Sequence, residues 1–324
     1  MSEYLNRRKF LKNSLIVSAG VTGGLSFEEQ ALLARNQRRP SAGVPEGDIK
    51  GLPMGKIGNV KISRLICGGN LINGYAHSRD LMYVSALIKH YFTDNKVVET
   101  LRISEENGIN TCIMNTGPAS RDENSIRNLN RYWKEGGKIQ WIAQCDSYEH
   151  DLFTIVKRAI DNGAVGAFIQ GGCGDNFIKN GRVDLVGKVV SLIKENGLIA
   201  GVGGHLIEVP MAVEEARIDV DFYHKTLHSH DYWSANPALP PQDNIWDATP
   251  EKTIEFMKKV NKPWIAYKIL AAGAIHPRIA FKYSFENGAD FINVGMYDFQ
   301  IKEDILIANR ALSDNSQRKR PWRG

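Results

Sequence analysis

The sequence predicts an α/β protein of the (β/α)8, or TIM-barrel, class, and three observations carry that reading. Eight apolar runs of strand length alternate with eight helical stretches along the chain. Several helical stretches end in an Asn-Gly pair, at 107–108, 162–163, 196–197 and 287–288, where a left-handed residue stops a helix. The repeat occupies about 275 residues, the size of one such barrel.

The first strand is read at Ile62–Cys67, with the helix Val97–Asn107 after a long insertion. Thr111–Asn115 and Glu123–Glu135 form the second unit, and Ile139–Gln144 and Leu152–Asn162 the third. Val165–Gln170 with Asp184–Asn196, and Leu198–Val202 with Pro210–Ala216, follow. Val220–His224 with Pro250–Val260, Trp264–Lys268 with Pro277–Asn287, and Phe291–Gly295 with Lys302–Leu312 complete the set. No G-x-G-x-x-G follows an early strand, so an open dinucleotide-binding sheet lacks its phosphate loop.

The amino-terminal segment carries Arg7-Arg8-Lys9-Phe10-Leu11-Lys12 ahead of a short apolar run, Leu15 to Leu25. This resembles a twin-arginine export signal, and the run is too short and glycine-rich to span a bilayer. The resemblance implies a periplasmic or cell-envelope protein exported after folding, often around a cofactor. The chain then divides into a signal (1–35), a polar spacer (36–53), the barrel (54–313) and a basic tail (314–324). The formal charge of +5 is concentrated at the two ends, in Arg7, Arg8, Lys9 and Lys12 and in Arg318, Lys319, Arg320 and Arg323. The body is near neutral and shows no nucleic-acid stripe, and the tail reads as solvated. Three of the four cysteines, Cys67, Cys112 and Cys145, fall within or at the end of buried strands, and none, Cys173 included, has CxxC spacing. They read as core thiols.

Met54-Gly-Lys-Ile-Gly-Asn-Val-Lys-Ile-Ser-Arg-Leu-Ile-Cys-Gly-Gly-Asn70 resembles the opening of the aldo-keto reductases. Glu106-Asn-Gly-Ile-Asn-Thr-Cys-Ile-Met-Asn-Thr116 is similar to that family's second strand, and Gly288–Gly295 more faintly to its last strand and cofactor-phosphate region. The resemblance implies a β-hairpin over the barrel floor. It also implies an aspartate after the second strand, a tyrosine soon after, a lysine on the third strand and a histidine on the fourth. This chain has Asn115, no tyrosine in Thr116–Arg121, Gln144 with Asp146, and Gln170-Gly-Gly172. A carbonyl that accepts hydride needs a proton donor, so the scaffold is present without the family's reductase set.

Chemistry in such barrels sits at the carboxyl ends of the strands. Read in order, those ends give Asn70, Asn115, Gln144 with Asp146, Gln170, His205, His224 with Lys225, and Lys268. Amides, acids, imidazoles and lysines suit a polyhydroxylated ligand. Asn70, Asn115, Gln144, Gln170, Lys225, Tyr232 and Trp233 are the candidate substrate contacts, the two aromatics belonging to a proline-stiffened loop that reads as a lid. His224, Lys268, Asp146 and His205 are the candidate catalytic groups. Four of the eight histidines, His205, His224, His228 and His230, cluster near the fifth and sixth strand ends and are candidate metal ligands, with Glu208 and Asp231 as carboxylate partners. One zinc or manganese ion is the expected cofactor, with NAD(P) the lesser alternative. His224 is expected to be replaceable without loss of the fold.

The leading expectation is an exported enzyme acting on a small carbohydrate-like or keto-sugar substrate by metal- or His/Lys-assisted proton transfer, as an isomerase, epimerase or lyase. The alternatives are a nicotinamide oxidoreductase with a rewired donor such as Tyr75 or His224, and a non-catalytic sugar-binding barrel. No nucleic acid or stable membrane span is expected. The missing reductase set predicts weak or no NADPH binding by the mature domain. A calorimetric titration checks this, and micromolar affinity would favour the redox alternative.

Overall fold

Strands and helices alternate because the apolar period switches repeatedly between that of a buried strand and that of a one-faced helix. The computed structural model describes residues 51–75, 77, 81–117, 120–232, 234–235, 244–314 and 318–324. The expected signal at 1–35, most of the spacer, and Trp233 lie outside the described residues. An antiparallel hairpin, β1 (Met54–Ile57) and β2 (Val60–Ser63), precedes a closed parallel barrel. Its strands are β3 (Leu65–Gly68), β4 (Thr111–Asn115), β5 (Gln140–Cys145) and β6 (Gly166–Ile169). They continue with β7 (Ile199–Gly204), β8 (Phe222–Thr226), β9 (Trp264–Tyr267) and β10 (Phe291–Val294), which closes on β3.

The helices are α1 (Gly69–Ile72), α2 (Met82–Tyr91), α3 (Asp94–Glu106), α4 (Ser120–Lys134), α5 (Thr154–Asp161) and α6 (Gly171–Lys179). They are followed by α7 (Val183–Glu195), α8 (Glu208–Glu215), α9 (Pro250–Lys259), α10 (Pro277–Glu286) and α11 (Ile301–Ser313). Every barrel strand overlaps its predicted run. The predicted first strand is in fact two elements, because the chain breaks at Arg64 between β2 and β3. Three described α-helices escape the sequence pattern: the short α1 directly after β3, α2 inside the long insertion and α6 directly after β6. No described helix is long and apolar enough to cross a membrane.

Alternation along the strands sorts two cores. The larger lies between strands and helices and contains Cys67, Cys112, Cys145 and Cys173, all buried free thiols. The smaller fills the barrel with Ile66, Ile113, Ile142, Phe168, Ile199, Phe222, Ile265 and Phe291. Ile57 and Ile62 of the hairpin join it, so the hairpin is the plug of the floor.

The tail departs from the solvated run that its charge predicts. Its described part, 318–324, is folded against the barrel floor around Asp290, whose side chain is fully buried. Arg318 donates to the Asp290 carboxylate at 3.0 Å, and Arg320 donates to its other oxygen. The backbone amides of Trp264 and Arg323 complete the shell at 3.0 and 2.9 Å. Arg64 donates to the Asp290 carbonyl at 2.9 Å. The Trp322 ring lies 4.1 Å from the Arg64 guanidinium and 3.5 Å from that of Arg318. Burial pulls Arg318 down to about 10 against the opposing pull of Asp290. A basic run reads as solvated only while its buried acid is far away in sequence.

A buried carboxylate removed from its cations leaves them uncompensated, which costs about 3–5 kcal/mol. Asp290→Asn is therefore expected to lower unfolding free energy by that amount in urea titrations. A change below about 1 kcal/mol would mean the tail is not an integral part of the barrel.

Candidate functional site at the barrel mouth

The inward apolar residues fix what stands above them. Two positions beyond Ile113, Ile142, Phe222, Ile265 and Phe291 come Asn115, Gln144, His224, Tyr267 and Asn293. These polar side chains cap the apolar barrel interior on the side where the strands end. Gln144 donates to Asn115 at 2.8 Å, so the two amides occupying the reductase positions bond to one another. Gln170, the equivalent residue after β6, caps α6 by accepting from the Cys173 amide at 3.0 Å.

His224 is central and 1% exposed. Its ring stacks on Tyr267 at 3.9 Å and lies 4.5 Å from Phe168. Asn293 donates to its Nε2 at 3.0 Å, which places the ring proton on Nδ1. Burial drives its pKa well below the ordinary 6.5, so the ring is neutral. The Nδ1 atom, the Tyr267 hydroxyl and the Asn293 carbonyl oxygen are all buried without a hydrogen-bond partner. Each such group costs about 1–3 kcal/mol when nothing satisfies it, and three of them share one end of one barrel.

The expectation that the His224 side chain, as a strand-end group, contributes little to the core is corrected by this packing. Its ring is a wall of the core as well as a polar group.

His205, directly after β7, is held by a residue that the sequence pattern does not mark. Asp175 on α6 accepts from the His205 and Leu206 amides at 2.9 and 3.0 Å through Oδ1. Its Oδ2 lies 2.7 Å from His205 Nδ1. This orients the imidazole and leaves Nε2 as its basic nitrogen. Burial lowers the His205 pKa, partly opposed by Asp175, so the ring is neutral and able to accept a proton. Tyr267 is equally hidden in the sequence, where it looks like one more apolar strand residue. Burial raises its pKa well above 10, so its hydroxyl remains a donor.

The roof comes from two loops. Trp246 lies 4.9 Å from the His205 ring and 4.9 Å from His77. The Lys268 amine sits 3.7 Å from the Trp246 ring and 2.6 Å from His77 Nε2. Lys268 has a left-handed backbone, φ 57°, as do Ala271 and Ala272 just beyond it. Such strain costs about 1–3 kcal/mol per residue and gathers at functional sites. Asp146, at the end of β5, has its pKa raised by burial. Asn70 lies partly buried in α1 after β3.

Other candidates are placed elsewhere. Lys225 is 1% exposed, bonded to Thr226 Oγ1 at 2.7 Å and paired with Asp247 at 3.4 Å, under the loop after β8. Tyr232 is buried, and its hydroxyl donates to the Asn244 carbonyl at 2.8 Å, so it pins that loop. His228 spends both ring nitrogens on backbone: Nε2 accepts from Trp246 and Asp247 at 2.9 and 3.1 Å, and Nδ1 donates to Ser229. His230 donates Nε2–H to the Asp247 carbonyl at 2.8 Å. With His205 bound to Asp175 and His224 to Asn293, the four histidines do not form one ligand set. Among the described residues no group of three His, Cys, Asp or Glu is placed to share a metal ion. The expected ligands therefore do not fit a metal in this arrangement.

The turn after β10 carries Asp298, bonded to Tyr91 and Lys96, and the first turn of α11 carries Glu303 and Asp304. Of these, Asp298 is paired with Lys96, and Asp304 is buried with its pKa raised to about 7.

No family model matches the chain, and no curated protein matches it in sequence. Solved structures are similar in fold. A putative aldo-keto reductase from Pseudomonas aeruginosa superposes with a TM-score of 0.56 at 16% identity, covering 82% of this chain and 98% of that one. A truncated 3-deoxy-D-arabino-heptulosonate 7-phosphate synthase from Thermotoga maritima gives 0.51 at 13% identity, covering 84% and 96%. At such identities the likeness shows the (β/α)8 barrel fold and nothing of the reaction.

A neutral buried histidine makes stability fall on acidification. The His224 contribution is complete above the ordinary 6.5 and is lost as pH falls towards its depressed folded value. Asp304, pushed up to about 7 by burial, acts with the opposite sign, losing its contribution as pH rises. His224→Gln is therefore expected to flatten the acid side of a stability–pH curve measured by urea unfolding. His224→Ala should cost about 3 kcal/mol at neutral pH. An unchanged acid limb would show that His224 is charged in the fold.

Proposed function

We propose that the barrel is an enzyme that moves a proton at carbon next to a carbonyl of a small, polyhydroxylated substrate, by isomerisation, epimerisation or elimination. The Asp175–His205 pair beside the unpartnered Tyr267 hydroxyl carries this reading. His205 Nε2 takes the proton, and Asp175 fixes the ring and stabilises the imidazolium that forms. The Tyr267 hydroxyl and the His224 Nδ1–H donate to the carbonyl oxygen as it gains negative charge. Asn115, Gln144 and Asn293 supply amides for substrate hydroxyls, and Trp246 with His77 shields the reacting centre from water. Lys268 acts electrostatically on the developing oxyanion, and Asp146 is a further acid at the rim.

The twin-arginine start supports export of the folded enzyme, with its work done outside the cytoplasm. Among the described residues the histidines are not gathered into one ligand set, so the reading rests on their acid–base chemistry.

Deuterium exchange tests the reading whatever the product. A panel of aldoses, ketoses and sugar acids is incubated with the protein in deuterium oxide, and proton NMR follows exchange at the carbon next to the carbonyl. Exchange is expected with at least one member, and His205→Asn should slow it about 10²–10⁴-fold. Asp175→Asn should slow it while leaving the fold intact. Exchange that persists in His205→Asn would remove His205 from the reaction, and no exchange across the panel would overturn the proton-transfer reading.

A further inference from the structure

The mouth has one end built for negative charge. We propose that the first turn of α6, with the Tyr267 hydroxyl, is a carboxylate-binding cradle, and that the substrate is the anion of a small sugar acid. This rests on the preceding reading and names its substrate class. Helix α6 is nine residues long and begins Gly171-Gly172-Cys173-Gly174. The first amides of a helix have no intrahelical acceptor. The Gln170 side chain serves the third of them, at Cys173. The amides of Gly171 and Gly172 have no acceptor within the helix and stand at the positive end of its dipole, an arrangement that favours anions.

The second observation is independent of the helix. Tyr267 is 8% exposed, and its hydroxyl has no hydrogen-bond partner. It is aimed at this turn: a Cβ on Gly171 would come within 2.3 Å of the hydroxyl oxygen and 3.0 Å of His205 Cε1. Glycine at 171 is what lets the tyrosine hydroxyl and the imidazole edge approach the helix start so closely. Lys268, next in the chain after Tyr267, adds a cation at the same mouth, and both nearby histidines are held neutral by burial. Asp175 on the same helix and Asp146 are the opposing acids; Asp175 is already bonded to the His205 ring and to the His205 and Leu206 amides, and burial raises the Asp146 pKa. A carboxylate in the cradle would place the carbon beside it near the His205 base, where proton abstraction next to a carboxyl or keto group is required.

The probes are D-gluconate and D-glucitol, which carry comparable hydroxyls and differ in the carboxylate. Isothermal titration of the full-length purified protein is expected to give D-gluconate at least tenfold tighter binding than D-glucitol. Gly171→Ala should abolish that preference. Tyr267→Phe, which keeps the ring stacked on His224, should reduce it severalfold, and it serves as the decisive variant if Gly171→Ala fails to fold. Equal binding of the two probes would overturn the cradle while leaving the polyol reading standing. A preference for D-gluconate that survives both variants would also overturn it. Binding of neither probe would count against the substrate class as a whole, and with it the cradle.

Discussion

The barrel depends on one carboxylate at its floor. Asp290 sits immediately before β10, and it accepts from the Trp264 amide at the start of β9 while the tail arginines close over it. It thereby sets the starting height of two neighbouring strands. Their register follows, with Phe291 opposite Ile265 and Asn293 opposite Tyr267. Because side chains alternate with a period of two, a one-residue slip would turn Tyr267 and Asn293 out of the mouth. The ion cluster and the candidate site lie at opposite ends of the same two strands. The tail is accordingly part of the fold: without Arg318 and Arg320, Asp290 would be a buried charge with backbone donors alone.

The mouth can be polar because the layer beneath it is not. Ile113, Ile142, Phe222, Ile265 and Phe291 fill the interior, and the hairpin residues Ile57 and Ile62 seal it from below. A dry interior lowers the effective dielectric under His224, which is why the ring is neutral and why its proton position is set by a single amide. The unsatisfied atoms of His224, Tyr267 and Asn293 then amount to a destabilising layer that the core tolerates. Natural folds break local rules of polar satisfaction mainly where function requires it. Left-handed Lys268 at the adjoining strand end is a second breach of the same kind.

Most of the fold was legible because its signals are local. Strand runs, Asn-Gly stops and the hairpin motif each lie within a few residues, and every strand of the barrel overlaps the run read for it. Helix α6 was missed because Gly171, Gly172 and Gly174 argue against a helix; the tertiary structure overrides that propensity at a point where close approach to Tyr267 and to the Gly203 carbonyl demands glycine. The site was legible by position and less so by partner. His205, His224, Asn115, Gln144 and Lys268 follow from the rule that strand ends carry chemistry. Asp175 lies on a helix and reaches His205 from 30 residues away, and nothing near it in sequence marks it. Lys225, Tyr232, His228 and His230 read as functional because they are polar and clustered, and their hydrogen-bond partners are backbone groups, the Thr226 hydroxyl and Asp247. Polar density in a loop signals hydrogen bonding of the loop to itself as readily as chemistry.

The comparison with the reductase pattern has a physical reading. In that pattern the ionisable set stands on the second to fourth strands. Here those strands offer Asn115, Gln144 and Gln170, which bond to each other or to a helix start. The ionisable groups of this barrel stand instead on α6 and at the ends of the fifth to seventh barrel strands, as Asp175, His205, His224, Tyr267 and Lys268, with Asp146 after the third. A barrel permits this because its interior packing is indifferent to which strand end bears the reactive group, provided each inward position below it is filled. What cannot be moved is the electrostatic logic. A base must be oriented by an acid behind it, and a donor must stay protonated in front of the developing charge. The arrangement on strands β7 to β9 meets both conditions, with burial keeping His205 neutral and Tyr267 protonated. The start of α6, the Tyr267 hydroxyl and the His205 ring meet at Gly171, where a Cβ would come within 2.3 Å of the hydroxyl.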